Sequence, residues 1–288
     1  MKTNVDKLKI LDLNRRFHDE VEADNYDERM GVNHSILEVR NTVLELESVL
    51  GRPLPAKGRV VDLGAGTGNI SIKLALDGRF EKVTAVDISS KSLQVLESTA
   101  LKHGVEVDTI VSDMQKLPFE TNSLDLVVGC AFLHHLPDPV AFMLEVRRVL
   151  KPEAPFIIIG EPSYFGAAVT NMVKFPLVLI NRLRNSFSRE RLFHWEHDQI
   201  DVHTFSHDDI AEIFNSNFKE IRVSSEGFAE PVIDQAALVP LRHVLPDYLP
   251  LRVIFTVIRK VARFTDYLIF NPLLPASMKV TLKISGSS

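Results

Sequence analysis

The chain has 288 residues, 45% of them hydrophobic, enough for one large α/β domain with a substantial core. A formal net charge of -5 gives no support to a general affinity for nucleic acid. The single cysteine, Cys130, excludes an intramolecular disulfide and fits a reducing, cytoplasmic setting; the first residues lack the pattern of a secretory signal, and no apolar stretch is long enough to predict a spanning helix.

Amphipathic helices are predicted over 7–22 and 33–50, the second closed by Gly51-Arg52-Pro53, and together they read as a helical cap over 1–56. The run VVDLGAGTGN follows, in which a strand over 59–63 carries the acid Asp62 and turns on Gly64, Ala65, Gly66 and Gly68. Glycines lack the Cβ that would hold a ligand away from the main chain, and NISIKLAL then resumes helical spacing. Strand, glycine turn and helix form the first step of a doubly wound sheet, whose ligands sit beyond the carboxyl ends of the strands. A dinucleotide fingerprint would need a third glycine where Asn69 stands, and Asp62 would repel a pyrophosphate while attracting a cationic amino-acid end.

The second strand, 82–87, ends in Asp87 before Ile88, an acid able to accept both ribose hydroxyls of a nucleoside, although NAD enzymes share that feature. The third, 106–111, leads to Asp113 and Met114, a place for a carboxylate to meet an adenine amino group. The fourth, 124–130, ends in Cys130, read either as a neighbour of the cofactor or, more ordinarily, as a small buried hydrophobe. A fifth strand is predicted over 156–160 and two more over 219–225 and 278–285, with Met278, Val280, Leu282 and Ile284 on one face of the last. Alternation with helices demands a mainly parallel sheet.

These runs resemble the class I S-adenosylmethionine-dependent methyltransferases, in their small-molecule and lipid subgroup. The matching residues are VVDLGAGTGNIS, VTAVDIS, VSDMQKLPFETNSLDLVVGCAFLHHLPDP and EVRRVLKP leading into FIIIGEPS. The resemblance implies a Rossmann-like seven-stranded sheet over 57–288, its last strand antiparallel between the fifth and sixth. S-adenosylmethionine would be held by Asp62 and the glycine turn, Asp87, Asp113 and Met114. It also implies that Tyr26, in a Tyr-Asp pair within the cap, contacts the methionine end of the cofactor, plain packing being the other reading. The family's usual glycine pair after Lys151-Pro152 is replaced by Glu153-Ala154, so the lead-in to the fifth strand must be built differently.

Helical insertions on the substrate side are expected over 163–203 and 227–276. In the second, 249–270 projects as a largely apolar helix with Arg252, Thr256, Arg259, Lys260 and Arg263 on one stripe. It reads as a lid buried on three sides or as a helix lying on a membrane surface, burial being the more ordinary. Two apolar segments around one mouth suggest a hydrophobic or lipid-like acceptor, methylated at oxygen, carbon or nitrogen. His134 and His135, near the expected methyl group, are each a candidate general base, His135 being the preferred one, although the resemblance implies scaffold or cofactor packing for the pair; Glu161 is a candidate for orienting the acceptor. His194, Glu196, His197, His203 and His207 match no metal-ligand spacing, and Ser206 to Asp209 reads as a capping box, so no metal is expected. A protein that binds the cofactor without catalysis is the alternative function.

Overall fold

The computed structural model describes residues 4–24, 26–114, 116–185, 202–215, 218–233 and 249–288. Short apolar runs that end on polar residues pair as seven strands: β1 (Arg59–Leu63), β2 (Lys82–Asp87), β3 (Asp108–Val111), β4 (Leu126–Cys130), β5 (Pro155–Pro162), β6 (Lys219–Glu226) and β7 (Thr281–Ser287). Their order is β3-β2-β1-β4-β5-β7-β6. The first five run parallel, and β7 lies antiparallel between β5 and β6. Parallel strands need crossovers that cover both faces, which is why β1, β4 and β5 are buried almost throughout.

On one face lie α3 (Ile36–Leu50), α4 (Ser71–Asp77) and α5 (Ser90–His103). Leu46 and Leu50 of α3 meet Leu74 of α4 over Val60, Val128 and Ile157. On the other face α6 (Pro139–Val149) and α8 (His207–Asn215) bury Met143, Val146, Ile210 and Phe214 against Val127, Phe156 and Ile158. Local signals set the helix ends. The Ser35 hydroxyl accepts the Glu38 N–H, Gly51 closes α3 in the left-handed conformation, and the Asp138 carboxylate accepts the Ala141 N–H ahead of α6. Ser206 and Asp209 bond reciprocally, the expected capping box.

The earlier elements are α1 (Asn4–Phe17), continued by a π turn over His18–Glu22, and α2 (Tyr26–Met30). Both dock on the carboxyl edge of the sheet. Asn14 donates to the main-chain oxygen of His135, Lys7 pairs with Asp138, and Asp19 accepts the Ser89 hydroxyl at the start of α5. The division of a cap at residue 56 does not follow the packing: 4–30 cover the edge, whereas α3 is a full member of the sheet-covering layer.

The substrate-side additions comprise α7 (Tyr164–Asn185), α9 (Ala229–Ile233) and α10 (Leu249–Thr265), the last continued by a π turn over Asp266–Phe270. The expectation of a lid buried on three sides is not met. The inward stripe of α10 is Phe255, Arg259, Ala262 and Asp266, while Val257, Val261 and Phe264 face outward, 53%, 59% and 62% exposed. The reason is polar. Asp266 accepts the N–H groups of Phe228, Ala229 and Glu230 at the start of α9, and Arg263 makes a two-pronged pair with Glu230. Those main-chain donors have no partner within their own helix, so the acid turns toward them and the aliphatic face turns out. Residues 186–201 and 234–248, including His194, Glu196 and His197, lie outside the described residues.

The last strand also departs from expectation. It starts at Thr281, and Met278 sits in a preceding 3-10 turn, 40% exposed, while Val280, Leu282 and Ile284 are buried as predicted. Glu153, in the place of a glycine, holds a left-handed φ of 64°, and its carboxylate pairs with Lys219 at 2.9 Å.

Candidate active site

The adjacent parallel strands β1, β2 and β3 bring Asp62, Asp87 and Asp113 to one edge of the sheet. The glycine turn hangs on β2, since Gly64 and Ala65 donate to the Val86 oxygen at 2.9 and 3.1 Å. Asp87 ties the turn down further, one oxygen accepting the Gly66 N–H at 2.8 Å and the other the Ser89 N–H at 2.8 Å. Asp62 accepts the Ser71 N–H at 3.0 Å, the first turn of α4. Burial pushes the Asp62 carboxyl up to about 7, with Asp87 adding to the rise and the Ser71 N–H opposing it.

The glycines differ in what surrounds them. A Cβ on Gly64 would stand 2.4 Å from Phe132 Cβ, and one on Gly68 would meet Leu96 at 2.6 Å. At Gly66, with φ +53°, a Cβ would have no neighbour within 4 Å. The bend therefore holds an open cradle at Gly66 between walls that are already closed. Thr67, next in the turn, donates its hydroxyl to Asp27 of α2, which brings the cap onto the loop. Tyr26 opens α2 and is half-buried. Ile88 is half-buried beyond Asp87, and Met114, buried with φ +60°, follows Asp113.

Two consequences bear on the ligand. A pyrophosphate would need the main-chain N–H groups of the turn and of the following helix, yet those of Gly66 and Ser71 are already held by carboxylates. A cationic ligand with a nucleoside suits the same residues: acids at three neighbouring positions and a gap at Gly66 that a side chain would fill.

Beyond β4 the chain makes a 3-10 turn over Leu133–His135 that depends on Glu161. Its fully buried carboxylate accepts the N–H groups of Phe132, Leu133 and His134 at 3.0, 2.9 and 3.1 Å, and lies 2.8 Å from His134 Nδ1. This corrects the expectation that Glu161 faces the crevice to orient an acceptor: its oxygens are spent on the turn. A register shift in the β5–β7 pairing, with Gly160 at φ +75°, aims the side chain inward. His135, half-buried, packs its ring between His134 (3.9 Å between centroids) and His18 (5.5 Å). Cys130 is half-buried in the α3/α4 core cluster, its sulfur 3.2 Å from where a Gly160 Cβ would stand, and burial pushes its thiol up to about 12. It behaves as a hydrophobe rather than a thiolate.

Sequence reasoning missed Asp19, Phe132 and Asp266, and it singled out Asp27 only as the acid of the Tyr-Asp pair, without its bond to Thr67. Each acts through partners distant in the chain, and no local spacing announces them. No group of three or more His, Cys, Asp and Glu side chains among the described residues is arranged to hold a metal ion.

Residues 61–158 match the family described as a methyltransferase domain. Over that segment, and in the order of its seven strands, the chain is similar to the class I S-adenosylmethionine-dependent methyltransferases. Among its relatives is the ubiquinone biosynthesis O-methyltransferase of Xanthomonas axonopodis pv. citri, 36% identical over 130 residues, which are 44% of this chain and 54% of that protein. Another is the 27-O-demethylrifamycin SV methyltransferase of Amycolatopsis mediterranei, 34% identical over 119 residues, covering 38% and 43%. The chain thus spans about half the length of the curated relatives it matches. The fold is shared with phosphoethanolamine N-methyltransferase 2 of Haemonchus contortus, solved with S-adenosyl-L-methionine: TM-score 0.57, 18% identity, 96% of this chain and 60% of that one.

Proposed function

We propose that the protein transfers a methyl group from S-adenosylmethionine to a small, apolar or lipid-like acceptor. The observation that carries this reading is the open cradle at Gly66, bracketed by Asp62 and Asp87. Asp62 with Gly64, Ala65, Gly66 and Gly68 would hold the methionine end, Asp87 with Ile88 the ribose, and Asp113 with Met114 the adenine, under a cap that includes Tyr26. When bound, the cofactor supplies a methyl already activated by its sulfonium, so the protein's work is to place the acceptor and exclude water.

His135 is our candidate to take a proton from the acceptor, because Nδ1 of its neighbour His134 is engaged by Glu161. The relatives named for ubiquinone biosynthesis and for 27-O-demethylrifamycin SV support a small-molecule acceptor, the first of them methylated at oxygen. The apolar composition of the substrate-side additions, with Phe255 on the inward stripe of α10, supports a hydrophobic one. The test is transfer of labelled methyl from S-adenosylmethionine to apolar phenols and to lipid extracts, with Asp87→Ala as the control expected to lose cofactor binding. Binding of S-adenosylhomocysteine without transfer to any acceptor would favour the non-catalytic alternative.

A further inference from the structure

We propose that the outward face of α10 docks on an anionic lipid bilayer. This goes beyond methyl transfer and does not depend on it. The face is an uninterrupted ridge of Val253, Val257, Val261, Phe264, Tyr267 and Leu268, each between 53% and 73% exposed. Scattered apolar residues on a surface are ordinary, but a whole helix side of them in one ridge is not.

The charges beside the ridge are sorted. From 249 to 270 the only acid is Asp266, and it is turned inward onto the start of α9. Lys260 is exposed beside the ridge, and the Arg263 side chain, although paired with Glu230, keeps 68% of its surface in solvent. In a chain of net charge -5 this helix holds an excess of cations. An apolar face flanked by the exposed Lys260 and by Arg263, whose partner Glu230 belongs to α9, and with no outward carboxylate of its own helix, complements headgroups of negative charge.

The anchoring is suited to bearing a load. The Asp266 and Arg263 contacts fasten the inner side, and Phe228 packs on Phe270 at 5.0 Å and on Phe165 of α7 at 6.4 Å. In α7, Met172 and Phe175 are 70% and 67% exposed. The inner side also borders the cap, since an Arg259 nitrogen lies 3.1 Å from the position a Gly31 Cβ would take, just after α2. No helix among the described residues is long and apolar enough to cross a membrane, so the contact is one of lying on the surface.

The experiment is flotation of the full chain with vesicles of phosphatidylcholine alone and of phosphatidylcholine mixed with phosphatidylglycerol, without cofactor or acceptor. Its outcome is therefore separate from that of the methyl-transfer assay. Wild type is expected to float with the anionic vesicles, less with neutral ones, and less as salt is raised. Val257→Asp with Val261→Asp should cut the bound fraction about tenfold, and Lys260→Glu should weaken binding to anionic vesicles alone, both with unchanged thermal denaturation. Absence of wild-type binding to anionic vesicles would overturn the proposal, as would equal binding by the double variant. A wild-type dimer in solution that the double variant converts to monomer would also overturn it, assigning the face to a second copy of the chain.

Discussion

Replacing Gly66 and Gly64 in turn by alanine separates the cradle from its walls. At Gly66 the new methyl meets nothing within 4 Å, so the structural cost is that of holding a left-handed alanine, about 1 kcal/mol. At about 2–4 °C per kcal/mol, Tm should fall by only a few degrees. At Gly64 the same left-handed cost is joined by a methyl 2.4 Å from Phe132 Cβ, where carbons ordinarily rest about 3.5–4.0 Å apart. Phe132 cannot yield freely, because its ring packs edge-on against Phe142 at 5.5 Å and its N–H is held by Glu161. Overpacking of this kind adds about 1–3 kcal/mol. For the ligand the order reverses, since a methyl at residue 66 stands in the space the cofactor would occupy. A loss of about 1–3 kcal/mol there lowers affinity roughly 5- to 150-fold. Thermal denaturation and calorimetric titration with S-adenosylhomocysteine read the two effects. Unchanged affinity for Gly66→Ala, or a Tm loss as large as that of Gly64→Ala, would refute the assignment of the cradle.

Two further outcomes concern the site and a third the lead-in to β5. Between pH about 4, where Asp62 ionises in the unfolded chain, and about 7, where it ionises when folded, the folded protein holds the extra proton; stability without ligand falls as pH rises through that window. A cationic ligand favours the carboxylate, so affinity should climb toward pH 7 with proton release, seen as buffer-dependent binding enthalpy, and Asp62→Asn should abolish both. Glu161→Gln turns an amide toward donors that need an acceptor, which should cost about 3 kcal/mol and lower Tm by about 5–10 °C. The pH profile of methyl transfer at a permissive temperature should keep its shape, because Glu161 positions the turn rather than moving a proton. Glu153→Gly should raise Tm by a few degrees in a melting curve, relieving a left-handed glutamate at the loss of an exposed pair with Lys219.

The left half of the sheet was legible because β1 and β2 are unbroken apolar runs closed by punctuation: 59–63 and 82–87 are predicted and observed with the same bounds. The position of Asp62, Asp87 and Asp113 at one edge follows from parallel pairing alone, given those runs. At β5 the prediction stops at Gly160, where periodicity breaks, but the break is a bulge and the strand continues to Pro162. Hence Glu161 reads from sequence as a residue past the strand, whereas it is a strand residue turned into the core. For α10 the pattern showed two unlike faces and could not show which one turns inward. That was decided by the unpartnered N–H groups at the start of α9, a tertiary demand met by Asp266. The replaced glycine pair at 153–154 led to the expectation of a differently built lead-in turn, whereas Glu153 takes up the left-handed conformation that a glycine would adopt there.

The extra residue in β5 gives one carboxylate a mechanical office. Strand β5 runs directly into α7, and its bulge is paired with the segment of β7 that follows α10, so both substrate-side arms are rooted within a few residues of Glu161. The same side chain suspends the three amides leading to His135. Anyone grafting different arms onto this scaffold to change its acceptor would be pulling on that pivot. Preserving Gly160 and Glu161, while exchanging what lies beyond Ser163, is the cut along which such a chimera should keep its reaction centre aligned.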